Sequence, residues 1–165
     1  MKFFLSFIFL LTTYNFVAAQ EYDTVPPYKK DPNLPTFSIL QTDSTWFNNL
    51  MLPDNKPVVI VYFSPDCGHC AITAHDFVRD MPKMKNLFFV WVSYISLDEV
   101  RPFAQEYKLL QFKNVRVGRD PKYYIPSFYK VKYTPFIAVY DKDKKFMAAY
   151  DGGTDTKTII DLFQK

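Results

Sequence analysis

The sequence predicts an α/β domain, a central mixed β-sheet flanked by helices, on three observations. Val58-Val59-Ile60-Val61-Tyr62-Phe63 is β-branched and aromatic without polar alternation, the pattern of a strand buried on both faces. The periodic segments run strand, helix, strand, helix, then a β-hairpin and a last helix, an order that folds into a mixed sheet with helices packed on it. Finally, Cys67-Gly68-His69-Cys70 follows the first of these strands directly, and the C-terminal end of a central strand is where open α/β sheets place their sites.

Met1-Lys2, the apolar stretch Phe3 to Leu11 and the small residues Val17-Ala18-Ala19 form the three parts of a secretory signal peptide, assigned to residues 1–19. Its apolar core is too short to span a bilayer, so the expected mature chain begins at Gln20 and is exported, soluble, to the periplasm or the extracellular space. No stable membrane insertion is expected after its removal. Residues 20–35 carry Pro26, Pro27, Pro32 and Pro35 among charged residues and read as an extended linker without a helix. The domain proper is assigned to residues 36–165.

Within it, Phe37 to Leu40 reads as a short edge strand, and Asp43-Ser44-Thr45 before Trp46-Phe47 as a capped helix start. Pro53 to Pro57 is a turn leading into the Val58–Phe63 strand. A helix is expected from Gly68 to Met81, ended or kinked by Pro82. Leu87 to Tyr94 is a second buried strand, and Leu97-Asp98 opens a helix through Phe103 and Tyr107. Lys113 to Tyr133 reads as irregular. Strands follow at Phe136–Tyr140 and Lys145–Tyr150, then the break Gly152-Gly153 and a helix from Asp155 to Phe163.

The formal charge of +3 drops to +2 once Lys2 leaves with the leader, too mild a balance for nucleic acid to be the natural partner. Cys67 and Cys70 are the only cysteines, so neither is committed to a structural bridge elsewhere. Residues i and i+3 in the first turn of a helix lie on one face about 5–6 Å apart, a separation a disulfide can span. The free N–H groups and positive end of the helix favour a thiolate on the first cysteine, lowering its pKa from about 8.5 to roughly 3.5–7.5 at such sites. Cys67 is therefore the expected nucleophile and Cys70, one turn in, the shielded resolving thiol. His69 lies between them, and its protonated form would favour the thiolate and make the pair more oxidising.

Phe63-Ser64-Pro65-Asp66-Cys67-Gly68-His69-Cys70, Thr134-Pro135-Phe136 before an apolar strand, and Tyr150-Asp151-Gly152-Gly153 before the last helix resemble the thioredoxin fold, and within it the exported TlpA-like thiol–disulfide oxidoreductases. Cys-Gly-His-Cys is also the tetrad of protein disulfide isomerases. The resemblance covers about Leu34 to the C-terminus. It implies catalysis by Cys67 and Cys70, tuning by Gly68, His69 and Asp66, and a cis Pro135 facing the cysteines, with Thr134 offering backbone groups to an extended substrate. It further implies protein thiol or disulfide substrates, a redox partner protein, and no bound cofactor or metal. Three positions depart from the pattern: Asp66 stands where tryptophan is common, Val61 where thioredoxin has a buried acid, and His75 where a helix-kinking proline is usual.

Rival uses of the pair meet specific obstacles. Haem attachment needs histidine directly after the second cysteine, where Ala71 stands. A structural zinc site has only His69 and His75 to add, and His75 is about 12 Å along the helix from Cys67. A peroxiredoxin-like thiol peroxidase is echoed by Ser64-Pro65-Asp66-Cys67 but has Ile60 where a proline is expected, and a non-catalytic metal-delivery module remains a second alternative. The basic and aromatic residues between Phe112 and Tyr133 read as a solvated face with some rings turned inward, or as a docking surface beside Pro135.

Overall fold

The computed structural model describes residues 25–164; the signal-peptide assignment and the first part of the expected linker lie outside them. The Val58–Phe63 run forms the centre of the fold because every side chain in it is buried. Strand β3 (Val58–Tyr62) pairs parallel with β4 (Phe88–Ser93), and β4 pairs parallel with β5 (Val115–Arg119). On its other side β3 meets β6 (Phe136–Tyr140) antiparallel, and β6 continues to β7 (Phe146–Asp151). A hairpin of β1 (Ser38–Gln41) and β2 (Trp46–Asn48) extends the far side, giving a seven-stranded sheet in the order β2-β1-β5-β4-β3-β6-β7.

The helices are α1 (Pro27–Lys30), α2 (Gly68–Asp80), α3 (Leu97–Glu106), α4 (Tyr124–Tyr129) and α5 (Thr156–Asp161). Alternate residues of the central strands feed two separate cores, as the period of two requires. Val59, Val61, Phe63 and Trp91 pack with Cys70, Ala74 and Phe77 of α2, Phe103 of α3 and Ile159 of α5. Val58, Ile60, Tyr62 and Val90 pack on the other face with Ile125 and Tyr129 of α4 and with Tyr28 of α1. The helix that carries Cys70 thus lies on one face, and Pro135 enters the sheet beside β3 from the antiparallel neighbour. Among the described residues no helix is long and apolar enough to cross a membrane.

Four segments differ from the sequence expectation. Asp43-Ser44-Thr45 starts no helix: Asp43 accepts hydrogen bonds from the backbone N–H and hydroxyl of Thr45, Ser44 takes φ +67°, and the chain turns into β2. Consequently the Phe37–Leu40 segment is an inner strand, with β2 outside it. The stretch expected to be irregular contains β5 and α4. Residues 25–35 are not simply extended: α1 forms a single turn, Leu34 N–H donates to Lys144 O at 2.9 Å, and Tyr28 packs on Tyr129 and Phe146.

Candidate active site

The buried strand β3 delivers Phe63 to the edge of the core, and the turn Ser64-Pro65-Asp66 reverses into α2, with Cys67 N–H donating to Ser64 O at 3.2 Å. Cys67 has extended backbone angles (φ −89°, ψ 114°) and caps the helix with its own side chain. Its sulfur accepts the backbone N–H of Cys70 at 3.3 Å. A sulfur in that place satisfies one of the helix-end donors that have no partner inside the helix. Cys70, on the inward side of the first turn, is 0% exposed, whereas Cys67 is only partly buried. Both are free thiols in this structure.

This asymmetry separates the two acidities. Partial burial pushes the Cys67 thiol up, but hydrogen bonds from the Cys70 thiol, the contact at Thr134 and the backbone N–H groups of Cys70 and His69 outweigh it, and the net shift is downward. On Cys70 burial prevails: desolvation, then the hydrogen bond to Cys67, push its thiol up to about 12 against the smaller opposing pull of the Ser64 backbone. The outer sulfur is the one that ionises, and the inner one holds its proton.

The Thr134–Pro135 bond is cis. It brings the Thr134 carbonyl to Cys67, whose thiol donates to it at 3.5 Å. The acceptor expected to face a substrate peptide is thus engaged by the dithiol itself. Behind Pro135 lies Gly153, with φ +91°; a Cβ there would stand 3.0 Å from Pro135 Cγ. Glycine at this position combines a left-handed backbone with close approach to the Pro135 ring, a role that the Gly152-Gly153 break did not disclose.

The tuning candidates are placed differently from one another. His69 is exposed in the first turn, and its backbone N–H acts on the Cys67 sulfur. Asp66 does not cap α2; its carboxylate accepts the Ser64 hydroxyl within the preceding turn. The Ser64 hydroxyl thereby holds the Asp66 carboxylate in the turn, a partnership that the sequence pattern does not mark. Gly68 has open space where a Cβ would stand, so sterics there do not demand glycine. Val61 is wholly buried in the same core as Cys70, directly across from Trp91. His75 is exposed on α2 beside Asp76.

No protein-family profile and no curated protein sequence matches this chain. Solved structures do match in shape. A secreted disulfide oxidoreductase of Mycobacterium tuberculosis, homologous to E. coli DsbE, superposes with a TM-score of 0.64 at 18% identity over 76% of this chain and 92% of its own. The exposed lipoprotein thioredoxin Etrx1 of Streptococcus pneumoniae gives 0.62 at 20% identity, covering 79% of this chain and 100% of that one. The peroxidoxin BcpB of M. tuberculosis gives 0.68 at 14% identity over 80% of this chain and 94% of its own. With a seven-stranded mixed sheet, flanking helices and the cysteine pair at the head of α2, the chain has the thioredoxin-like fold.

Proposed function

We propose that this protein is a thiol–disulfide oxidoreductase acting on protein cysteines. The observation that carries this reading is the opposed pair itself: a Cys67 sulfur at a helix end, held by the Cys70 backbone N–H, in front of a Cys70 thiol that is buried and protonated. As a reductase, the Cys67 thiolate attacks one sulfur of a substrate disulfide, forming a mixed disulfide and expelling the first substrate thiolate. Cys70 then attacks the Cys67 sulfur; its proton leaves to water or to the departing thiolate, and the second substrate sulfur is released. Two electrons have moved to the substrate, and the enzyme holds a Cys67–Cys70 disulfide. Run backwards, the same steps oxidise a client.

Cys67 is the nucleophile and Cys70 the resolving thiol in this proposal, with Asp66, Gly68 and His69 shaping the environment of the pair and Thr134 and Pro135 bordering the client. A dedicated partner protein resets the pair. The Met1–Ala19 leader supports action outside the cytoplasm, in keeping with the secreted and surface-exposed character of the two oxidoreductase neighbours. The test is equilibration of the pure protein in glutathione buffers, with the Cys67–Cys70 state read by mass spectrometry, alongside turnover of a protein disulfide such as insulin. A defined reduction potential with insulin turnover is the expected result. Peroxide consumption without protein-thiol turnover would favour the peroxidase alternative, and co-purified metal that quenches both thiols would favour metal delivery.

A further inference from the structure

The segment that carries Thr134 to the redox pair is held by side chains. Helix α4 closes at Tyr129, where the Lys130 N–H donates to Ser127 O and the Val131 N–H to Pro126 O. Strand β6 begins only at Phe136. Between them, Lys132 and Tyr133 donate their backbone N–H groups to one oxygen, Asp151 Oδ1, at 3.4 and 2.9 Å. Pro135 has no N–H to give, and the Thr134 carbonyl accepts the Cys67 thiol at 3.5 Å. A carboxylate oxygen grips the start of this stretch, and a sulfur meets its far end.

The sheet places Asp151 for this contact. It is the last residue of β7 and stands opposite Phe136, the first residue of β6, in the antiparallel register. Its short side chain therefore reaches the backbone just before the loop enters the sheet. The residues that follow it back the same loop: a Cβ on Gly152 would stand 3.9 Å from Tyr133 Cβ, and one on Gly153 3.0 Å from Pro135 Cγ. Asp151 forms no ion pair among the described residues, so no cation draws its carboxylate away from these N–H groups. Hydrogen bonds from N–H groups to a carboxylate are stronger than those to a neutral acceptor.

We propose that Asp151 is a positioning residue for the redox pair: its carboxylate holds the backbone of Lys132 and Tyr133 so that Thr134 stays against the Cys67 sulfur. The assignment rests on the oxidoreductase reading and adds a residue that acts through Thr134 rather than on the sulfur. Burial opposes ionisation of Cys67, and the hydrogen bonds from Cys70 and at Thr134 favour it. A loop released at Tyr133 lets Thr134 drift from the sulfur, and the thiolate is less populated at neutral pH. The charge of the carboxylate would act in the opposite sense, because removing a negative charge from the neighbourhood of a thiol favours its ionisation. Positioning and charge are thus separated by the sign of the effect.

Asp151→Ala removes the acceptor, whereas Asp151→Asn keeps an oxygen in its place without the charge. The reduced full chain and both variants are alkylated with iodoacetamide from pH 5 to 9, and the modified cysteine is located by mass spectrometry. Asp66, His69 and Cys70, the titratable groups around Cys67 on its own turn and helix, are the same in all three. The alanine variant is expected to react about threefold more slowly at pH 7, with its pH profile moved upward and slower insulin reduction, while the asparagine variant stays near the unaltered chain. A lower melting temperature with an unmoved pH profile would make Asp151 merely structural, and a faster thiol in both variants would assign the effect to charge; either result overturns the positioning role. Should Asp151→Ala fail to fold, amide exchange of the unaltered chain decides: a protected Tyr133 N–H is expected, and exchange at the rate of an unstructured peptide overturns the grip. Failure of the unaltered chain to reduce insulin or hydroxyethyl disulfide would remove the oxidoreductase reading itself, with the alkylation comparison still judging Asp151 separately.

Discussion

The Cys67 sulfur caps the helix that carries Cys70, accepting the Cys70 backbone N–H at 3.3 Å. One contact therefore sets the two thiols in opposite environments. The capping sulfur collects helix-end donors that favour its negative form, and the residue supplying the donor points its own sulfur into the core.

This division makes stability depend on pH and on redox state. Cys70 has its folded pKa raised, so its contribution is fully present below about pH 9 and is lost as pH rises from 9 towards 12. Cys67 shifts the other way, and its contribution is lost only as pH falls through its lowered value. The disulfide form has neither thiol, and tyrosines with raised pKa values such as Tyr62 and Tyr140 titrate in both forms. Urea denaturation of the two forms at pH 8 to 11 should show the reduced protein losing ground to the oxidised one above pH 9, by up to about 1.4 kcal/mol per pH unit. A constant gap would place Cys70 in a wetter site than the fold gives it.

His69 can act through its imidazole or through its backbone N–H, and two substitutions separate them. His69→Ala removes the imidazole alone, while His69→Pro also removes the N–H that acts on the Cys67 sulfur. Loss of one hydrogen bond to a charged group costs about 1.5–3 kcal/mol, which corresponds to roughly 30–60 mV for this couple. His69→Pro should lower the reduction potential by that amount beyond His69→Ala. Equal shifts would put the whole effect on the imidazole, and no shift in either would make His69 incidental.

Gly153→Ala tests the backing of the Pro135 loop. The new Cβ would meet Pro135 Cγ at 3.0 Å on a residue with φ +91°, so the loop facing Cys67 must move. A loss of about 1–2 kcal/mol in stability is expected from the backbone alone. Alkylation of Cys67 at pH 7 should change together with the melting temperature; an unchanged thiol rate would show that the loop absorbs the methyl group without moving Thr134.

The parts of the site legible in the sequence were those with a single physical reading. An unbroken apolar run ending in Cys-x-x-Cys left little choice for β3 and α2, and the 3.6-residue geometry fixed which sulfur faces inward. Signals shared by two structures misled. Asp43-Ser44-Thr45 suits a helix cap, but the same side chains close a hairpin turn, and Asp43 does so. Strand β5 was obscured because Val115-Arg116-Val117-Gly118-Arg119 reads as polar; in the fold Arg116 lies over the Phe47 and Phe88 rings at 5.6 and 5.3 Å, and Gly118 is needed where a Cβ would stand 2.6 Å from Leu40 O. Helix α4 contains Pro126, and its Ile125 N–H is satisfied at 2.7 Å by Asp120, five residues earlier and beyond local pattern. Docking of residues 25–35 depends on β7 and α4, which no local signal in that segment reveals.

The division of labour between the thiols is tested most directly by trapping. Cys70→Ser leaves Cys67 able to attack but removes the thiol that resolves the mixed disulfide, so covalent complexes with client proteins, reducible by dithiothreitol, should accumulate. Cys67→Ser leaves only a thiol that is 0% exposed and whose burial disfavours the thiolate, and should trap few or none. Equal trapping by both variants, or none by either while peroxide turnover survives in one, would contradict the account.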